Sequence, residues 1–206
     1  MITMSSDAKN ELRRAMRERR LGVPPAEAAR AAERAAEHLL ALAELASVKT
    51  VGIYAAVRGE LSTSAVDRGL RARGVTIGYP IVPADRSARV LTFRIASPAD
   101  LAPGTWDLPE PPADAPALAL TALDALILPG LAFDRTGARL GWGGAYYDHT
   151  LAAASSALRL GFAHAFQVVP RVPETQGDER VDVIVTELGA RRTARGEGQP
   201  QSVERT

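Results

Sequence analysis

The side chains best suited to chemistry in this 206-residue chain cluster between Leu126 and Leu151. Gly141, Gly143 and Gly144 lie between Arg139 and the polar run Tyr146, Tyr147, Asp148 and His149. Glycines let backbone N–H groups approach an oxyanion, and a helix starting just after them turns its positive dipole end to the same place. Arg139 adds a full charge. The chemistry this pattern suits is the binding of a phosphate or another anion. It is neither a Walker loop nor the dinucleotide fingerprint: no Gly-Lys-Ser/Thr follows, and Gly141-x-Gly143 lacks the third glycine. The glycines by themselves fit a tight surface loop equally well. Arg139, the Tyr146-Tyr147 pair and Asp148 tilt the balance toward a site.

Three other places carry candidate chemistry. Lys9 and Arg13 stand one helical turn apart; from charge alone a solvated basic face is the simpler reading. Glu60 follows an apolar segment directly, where in an open α/β sheet the carboxyl ends of strands face the ligand crevice. A first-turn helix charge would explain it as well. Trp106 sits in a proline-stiffened segment, where an aromatic ring either packs or stacks on a flat ligand.

These side chains need a scaffold, and the hydrophobic pattern supplies one. Residues Asp7 to Arg20 read as a basic helix with a thin stripe of Leu12 and Met16. A second, Ala-rich helix runs from Pro24-Pro25 to about Leu45, and a third from Ser64 to Arg73. Strands are predicted at Val48–Ala56, Val75–Pro80, Arg89–Ile95, Leu123–Leu128, Leu158–Ala163 and Val181–Thr186. Leu101 to Leu118 reads as a long loop. Strands alternating with helices imply a single α/β domain with three α/β/α layers and a mostly parallel sheet. That domain takes in residues 1–190, and the polar stretch 191–206 is expected to be a disordered tail.

Composition narrows the function classes. Hydrophobic residues make up 46% and charged residues 24%, as in ordinary globular domains. A net charge of +1 argues against nucleic acid and membrane surfaces as partners. With no cysteine and three histidines, thiol catalysis and zinc-thiolate sites are excluded and a histidine metal cluster is disfavoured. No signal-peptide core or membrane span is visible, so a cytoplasmic location is expected.

The segment PGLAFDRTGARLGWGGAYYD resembles the signature of the 5-formyltetrahydrofolate cyclo-ligase family, P-G-x-x-F-D-x-x-G-x-R-L-G-x-G-x-G-Y-Y-D. It matches at Pro129, Gly130, Phe133, Asp134, Gly137, Arg139, Leu140, Gly141, Gly143, Tyr146, Tyr147 and Asp148. It departs at Ala145, where the family usually has glycine, and has Gly144 where some members have lysine. The resemblance runs from Lys9 to Glu187. It includes the Lys9-x-x-x-Arg13 pair, Glu60-Leu61-Ser62-Thr63 and the Trp106 segment. The family's Glu-x-His-Asp loop is replaced here by Thr175, Gln176, Gly177 and Asp178.

The resemblance implies a sugar-isomerase-like fold and the ATP- and Mg²⁺-dependent cyclisation of 5-formyltetrahydrofolate to 5,10-methenyltetrahydrofolate. It implies ATP contacts from Lys9, Arg13, Arg139, Leu140, Gly141, Trp142, Gly143, Gly144, Ala145, Tyr146 and Tyr147. Folate contacts would come from Ala55, Glu60, Trp106, Trp142 and Tyr146, with Glu60 accepting the pterin N–H groups. Arg139 and Tyr147 would be catalytic, and Asp148 and Asp182 would hold the metal. A monomer with small-molecule partners is expected. Two alternatives stand beside this: a nucleotide- or folate-binding relative without cyclo-ligase activity, and an ATP-independent sugar-phosphate isomerase. Alanine at 145 predicts a helical or extended φ there, since a left-handed one would strain it.

Overall fold

A computed structural model describes residues 3–85 and 87–197. Its elements are α1 (Thr3–Leu21), α2 (Pro25–Leu40), β1 (Thr50–Ile53), α3 (Ser64–Ala72), β2 (Thr76–Ile81) and β3 (Thr92–Ile95). They continue with β4 (Ala102–Pro103), β5 (Pro109–Glu110), β6 (Ala117–Leu118), β7 (Ala125–Leu128), β8 (Ala132–Phe133) and β9 (Arg139–Leu140). The last are α4 (Tyr146–Ala153), β10 (Leu158–Phe162), β11 (Val183–Thr186), β12 (Gly189–Arg192) and α5 (Ala194–Glu197).

Eight strands form one sheet in the order β12-β11-β10-β7-β1-β2-β3-β6. The five central strands, β11 to β2, pair in parallel, and the outer pairs β12–β11, β2–β3 and β3–β6 are antiparallel. The middle strand shows why. All four residues of β7, Ala-Leu-Ile-Leu, are buried. Ala125 and Ile127 join the core under α2 and α3, with Ala35, Leu39, Val66 and Leu70. Leu126 and Leu128 point the other way, to Leu151 of α4, Ala154 just after it, and Phe133. Two covered faces require apolar residues at successive positions, as parallel sheets do. The three-layer α/β architecture expected from the sequence is the one observed.

Several boundaries differ from expectation. Helix α2 ends at Leu40 rather than near Leu45; a 3-10 turn at Ala43–Leu45 then carries Leu45 into the core at 2% exposure. The segment 101–118 is not a plain loop: β4 and β5 form a small hairpin, and β6 joins the sheet edge through β3. The sheet also extends beyond residue 190, because β12 pairs along all of β11. Thr193 is fully buried and donates its hydroxyl to Val181 O at 2.6 Å. The tail beyond 197 lies outside the described residues. No described helix is long and apolar enough to cross a membrane.

Helix α1 packs its Leu12 and Met16 on a third cluster formed by the β8–β9 hairpin, Leu131, Ala138 and Val172. Asp134 fixes the turn of that hairpin. It is 2% exposed, accepts from Thr136 N and Oγ1 through Oδ1, and accepts from Val172 N through Oδ2. A Cβ at Gly137, where φ is +92°, would meet Val181 O at 2.4 Å. The Asp134 to Gly137 motif is therefore a structural hinge that delivers Arg139 and the glycine loop beside α1.

Candidate active site

Beyond the carboxyl ends of β1 and β7 lies a cavity of about 500 Å³. Ala55, Glu60, Trp106, Asp148, Lys9, Arg13 and the whole run from Arg139 to Tyr147 line it. Residues more than a hundred positions apart are thus gathered around one space, within the size range of small-molecule sites.

One end is built from α1 and the glycine loop. Arg13 donates Nε–H to Gly141 O at 3.0 Å, which holds the loop against the helix. Lys9 Nζ donates to Asp178 Oδ2 at 2.6 Å and Thr175 Oγ1 at 2.9 Å. Arg139, 7% exposed, donates Nη2–H to Asp148 Oδ1 at 2.8 Å, while its buried Nε has no hydrogen-bond partner among the described residues. No side chain caps the first turn of α4, so amide N–H groups and guanidinium charge both serve this end. The arrangement suits a polyphosphate.

The loop achieves this with left-handed backbone at two positions. Gly143 has φ +104° and tolerates it as glycine does. Ala145 has φ +57° and ψ +13°, which corrects the expectation of helical or extended backbone there. The chain must reverse direction between the loop and α4, and Ala145 makes that turn with its Cβ in place. Such strain at non-glycine residues gathers at functional sites, and Trp106 and Asp107 show it too, each with φ 58°. Trp106 packs edge-on to Tyr146, with ring centroids 5.7 Å apart.

The other end is organised by Glu60, whose side chain is 6% exposed. Its Oε2 accepts from Val57 N at 3.1 Å and its Oε1 from Trp142 Nε1 at 3.2 Å. Arg20 Nη1 stands 3.7 Å from Oε1. Burial pushes the Glu60 pKa up; Arg20, the Val57 amide, Trp142 and Arg58 act against that shift. Tyr147 is also raised, first by burial and then by Glu60, so its phenol remains a neutral donor at working pH.

Asp182 must be reassigned. It is fully buried at the start of β11 and is not among the cavity residues. Its Oδ2 accepts from Arg159 N and its Oδ1 from Arg195 Nε, both at 2.8 Å. A buried carboxylate in an apolar strand needs such partners, and with both oxygens committed it ties β11 to β10 and α5. Asp148 behaves differently. Both bonds it accepts, from Arg139 and from Glu179 N at 3.3 Å, go to Oδ1, which leaves Oδ2 for a cation. Among the described residues, no three His, Cys, Asp or Glu side chains converge as a metal cage. One carboxylate is enough for a magnesium ion held mostly by phosphate and water.

Sequence reasoning missed Arg20, Arg58 and Asp178. Arg20 is among the largest fully buried side chains, and donates Nε–H and Nη2–H to Arg58 O at 3.3 and 2.7 Å. Lys9, Arg13, Arg17 and Arg20 do continue one helical stripe, but such a stripe reads as a solvated face and not as a buried site.

The profile of the 5-formyltetrahydrofolate cyclo-ligase family matches residues 5–187. The chain is 28% identical over 174 residues to the 5-formyltetrahydrofolate cyclo-ligase of Escherichia coli (strain K12), covering 83% of this chain and 96% of that protein. It is 30% identical over 187 residues to the enzyme of the same name from Mycolicibacterium smegmatis, covering 89% and 95%. Among solved structures, the NMR structure of Aquifex aeolicus 5,10-methenyltetrahydrofolate synthetase superposes with a TM-score of 0.79 at 30% identity, covering 96% of each chain.

Proposed function

Because the chain belongs to the 5-formyltetrahydrofolate cyclo-ligase family, whose reaction closes 5-formyltetrahydrofolate to 5,10-methenyltetrahydrofolate with ATP, we propose that this cavity is where the two reactants meet. The pterin lies against Glu60, and the triphosphate lies along Lys9, Arg13 and the 139–148 loop. The observation that carries this reading is the polarity of the cavity. One end holds the buried Glu60 carboxylate with Arg20 and Arg58 around it, the other holds Lys9, Arg13 and Arg139 with the glycine-loop amides, and the two open into the same space.

The reaction needs a better leaving group than hydroxide. The N5-formyl oxygen attacks the γ-phosphorus of ATP, and the P–O bond to the β-phosphate breaks, releasing ADP. N10 then attacks the activated formyl carbon and loses its proton, and the C–O bond breaks to release phosphate. No covalent enzyme intermediate is needed, so catalysis rests on positioning and charge neutralisation. Arg139 supplies a buried guanidinium with an unpartnered N–H, and Tyr147 supplies a neutral hydroxyl donor beside it. Lys9 and Arg13 take the outer phosphate charge. A magnesium ion on Asp148 Oδ2 would offset the charge developing between the β- and γ-phosphates. Mixing the protein with 5-formyltetrahydrofolate and Mg-ATP, and following the absorbance of the methenyl product, tests the proposal; no product would refute it.

The departure from glycine at Ala145 lends little support to the alternative of a relative without cyclo-ligase activity. The residue adopts the left-handed conformation that a glycine would take there, so the loop keeps its shape.

A further inference from the structure

Glu60 is already occupied, by the protein itself. The indole of Trp142 donates its N–H to Glu60 Oε1 at 3.2 Å, and the guanidinium carbons of Arg17, Arg20 and Arg58 stand 5.5, 5.3 and 5.5 Å from its ring centre. A planar ring that gives an N–H to a buried carboxylate among guanidinium groups is what the pyrimidinone half of a bound tetrahydropterin would also be. One polar atom in this nest is left unsatisfied. Arg20 Nη1 is buried and forms an ion pair with Glu60 Oε1 at 3.7 Å, too long for a hydrogen bond, and it has no hydrogen-bond acceptor among the described residues. An indole has a donor and no acceptor to offer it. The 2-amino-4-oxopyrimidine edge of a pterin has both: N–H groups for Glu60 and a ring oxygen or nitrogen for Arg20.

On the reading that Glu60 receives the pterin, we propose that Trp142 is a stand-in for that ring, which the substrate displaces, and that Arg20 is a substrate-positioning residue which completes the donor–acceptor pair once the indole has left. Trp142 is placed to move. It is 40% exposed, and the residues after it are Gly143 and Gly144, the first at φ +104°. Its N–H bond and cation–π contacts are each a modest interaction. Arg20 is not placed to move, since two of its nitrogens are fixed on Arg58 O. The mobile partner yields and the rigid pair selects. A folate must therefore compete with a tethered ligand, and its apparent affinity is reduced by the fraction of molecules in which the indole is docked.

The test uses the two tryptophan indole N–H signals in a nitrogen-15 NMR spectrum, with that of Trp142 assigned by its loss in Trp142→Phe. Saturating 5-formyltetrahydrofolate is expected to release the Trp142 N–H and move its signal toward that of an unbonded indole, a change that a non-hydrolysable ATP analogue alone does not produce. In calorimetry Trp142→Phe, which keeps a ring but has no N–H, is expected to bind the folate about fivefold more tightly. Folate binding that leaves the Trp142 signal unmoved, or a Phe variant that binds no better, overturns the inference while the assigned function stands. A protein that binds no folate in either form overturns both.

Discussion

Arg139 and Asp148 close the glycine loop on itself. Their 2.8 Å ion pair joins the residue that opens the loop to the first turn of the helix that follows it, with side chains 3% and 19% exposed. Eight residues between them are held by one charged contact, and Arg13 adds a second tether at Gly141 O. The geometry of this end of the cavity thus depends on a pair whose second carboxylate oxygen is the one proposed for a cation.

Asp148→Asn should therefore weaken two things at once. Removing one partner of a largely buried pair leaves Arg139 uncompensated and costs about 3–5 kcal/mol of stability in comparable cases. The remaining activity should need more magnesium than the wild type. A magnesium titration of the initial rate, read beside thermal unfolding, checks both effects; an unchanged magnesium response would remove Asp148 from the metal.

Glu60 sets a pH dependence with a definite sign. Burial raises its pKa, and on the proposed layout the pterin N–H groups are best accepted by the anion. As pH falls through that raised value, the carboxylate gains a proton and folate affinity drops. The acid limb should lie above pH ~4.3, where an ordinary glutamate titrates. Glu60→Gln should flatten the limb and weaken folate binding by about 1.5–3 kcal/mol, with a far smaller effect on ATP. Equal losses for both ligands in calorimetry would refute the assignment.

Lys9 is pre-paired with Asp178 at 2.6 Å and lies at the phosphate end. Lys9→Met should raise the KM for ATP about tenfold or more, near 1.4 kcal/mol, and leave the KM for folate within about twofold. Steady-state kinetics with each substrate varied in turn separates the two, and a selective rise in the folate KM would contradict the layout.

Ala145→Gly should stabilise the protein. An alanine at φ +57° carries roughly 1 kcal/mol of strain that glycine relieves. The expected gain in Tm is about 2–4 °C for a chain of this size, with ATP affinity changed by less than about tenfold. A fall in Tm would mean that the Cβ makes a compensating contact.

Much of this was legible before any coordinates. The apolar run of β7 and the alternation of strands and helices encode a sheet covered on both faces, because burial pattern follows directly from periodicity. The glycine loop was readable because special backbone leaves marks in residue type, whereas Glu60 and the Lys9-Arg13 pair stood out only through the family resemblance, charge alone favouring a solvated face. Arg20 was not, since arginine usually marks a solvated face and only the third dimension brings Arg58 O and Glu60 to it. Asp182 was misread for the converse reason: an acid in an apolar strand signals a partner, and the sequence does not say that the partners are Arg159 N and Arg195 rather than a metal. The sign of φ at Ala145 depends on how the loop enters α4, a geometry that residue type opposes.

The central claim is that the cation-lined end and the Glu60 end of one cavity act together on ATP and folate. Its most direct test is the yield of methenyl product and of ADP, measured in the same reaction with purified protein and 5-formyltetrahydrofolate. The account predicts one ADP for each methenyl group formed, no product when ATP is omitted, and a fall of roughly a hundredfold or more in rate when Arg139 is replaced by Met. Product formed at an undiminished rate without ATP, or an Arg139→Met enzyme as fast as the wild type, would contradict it.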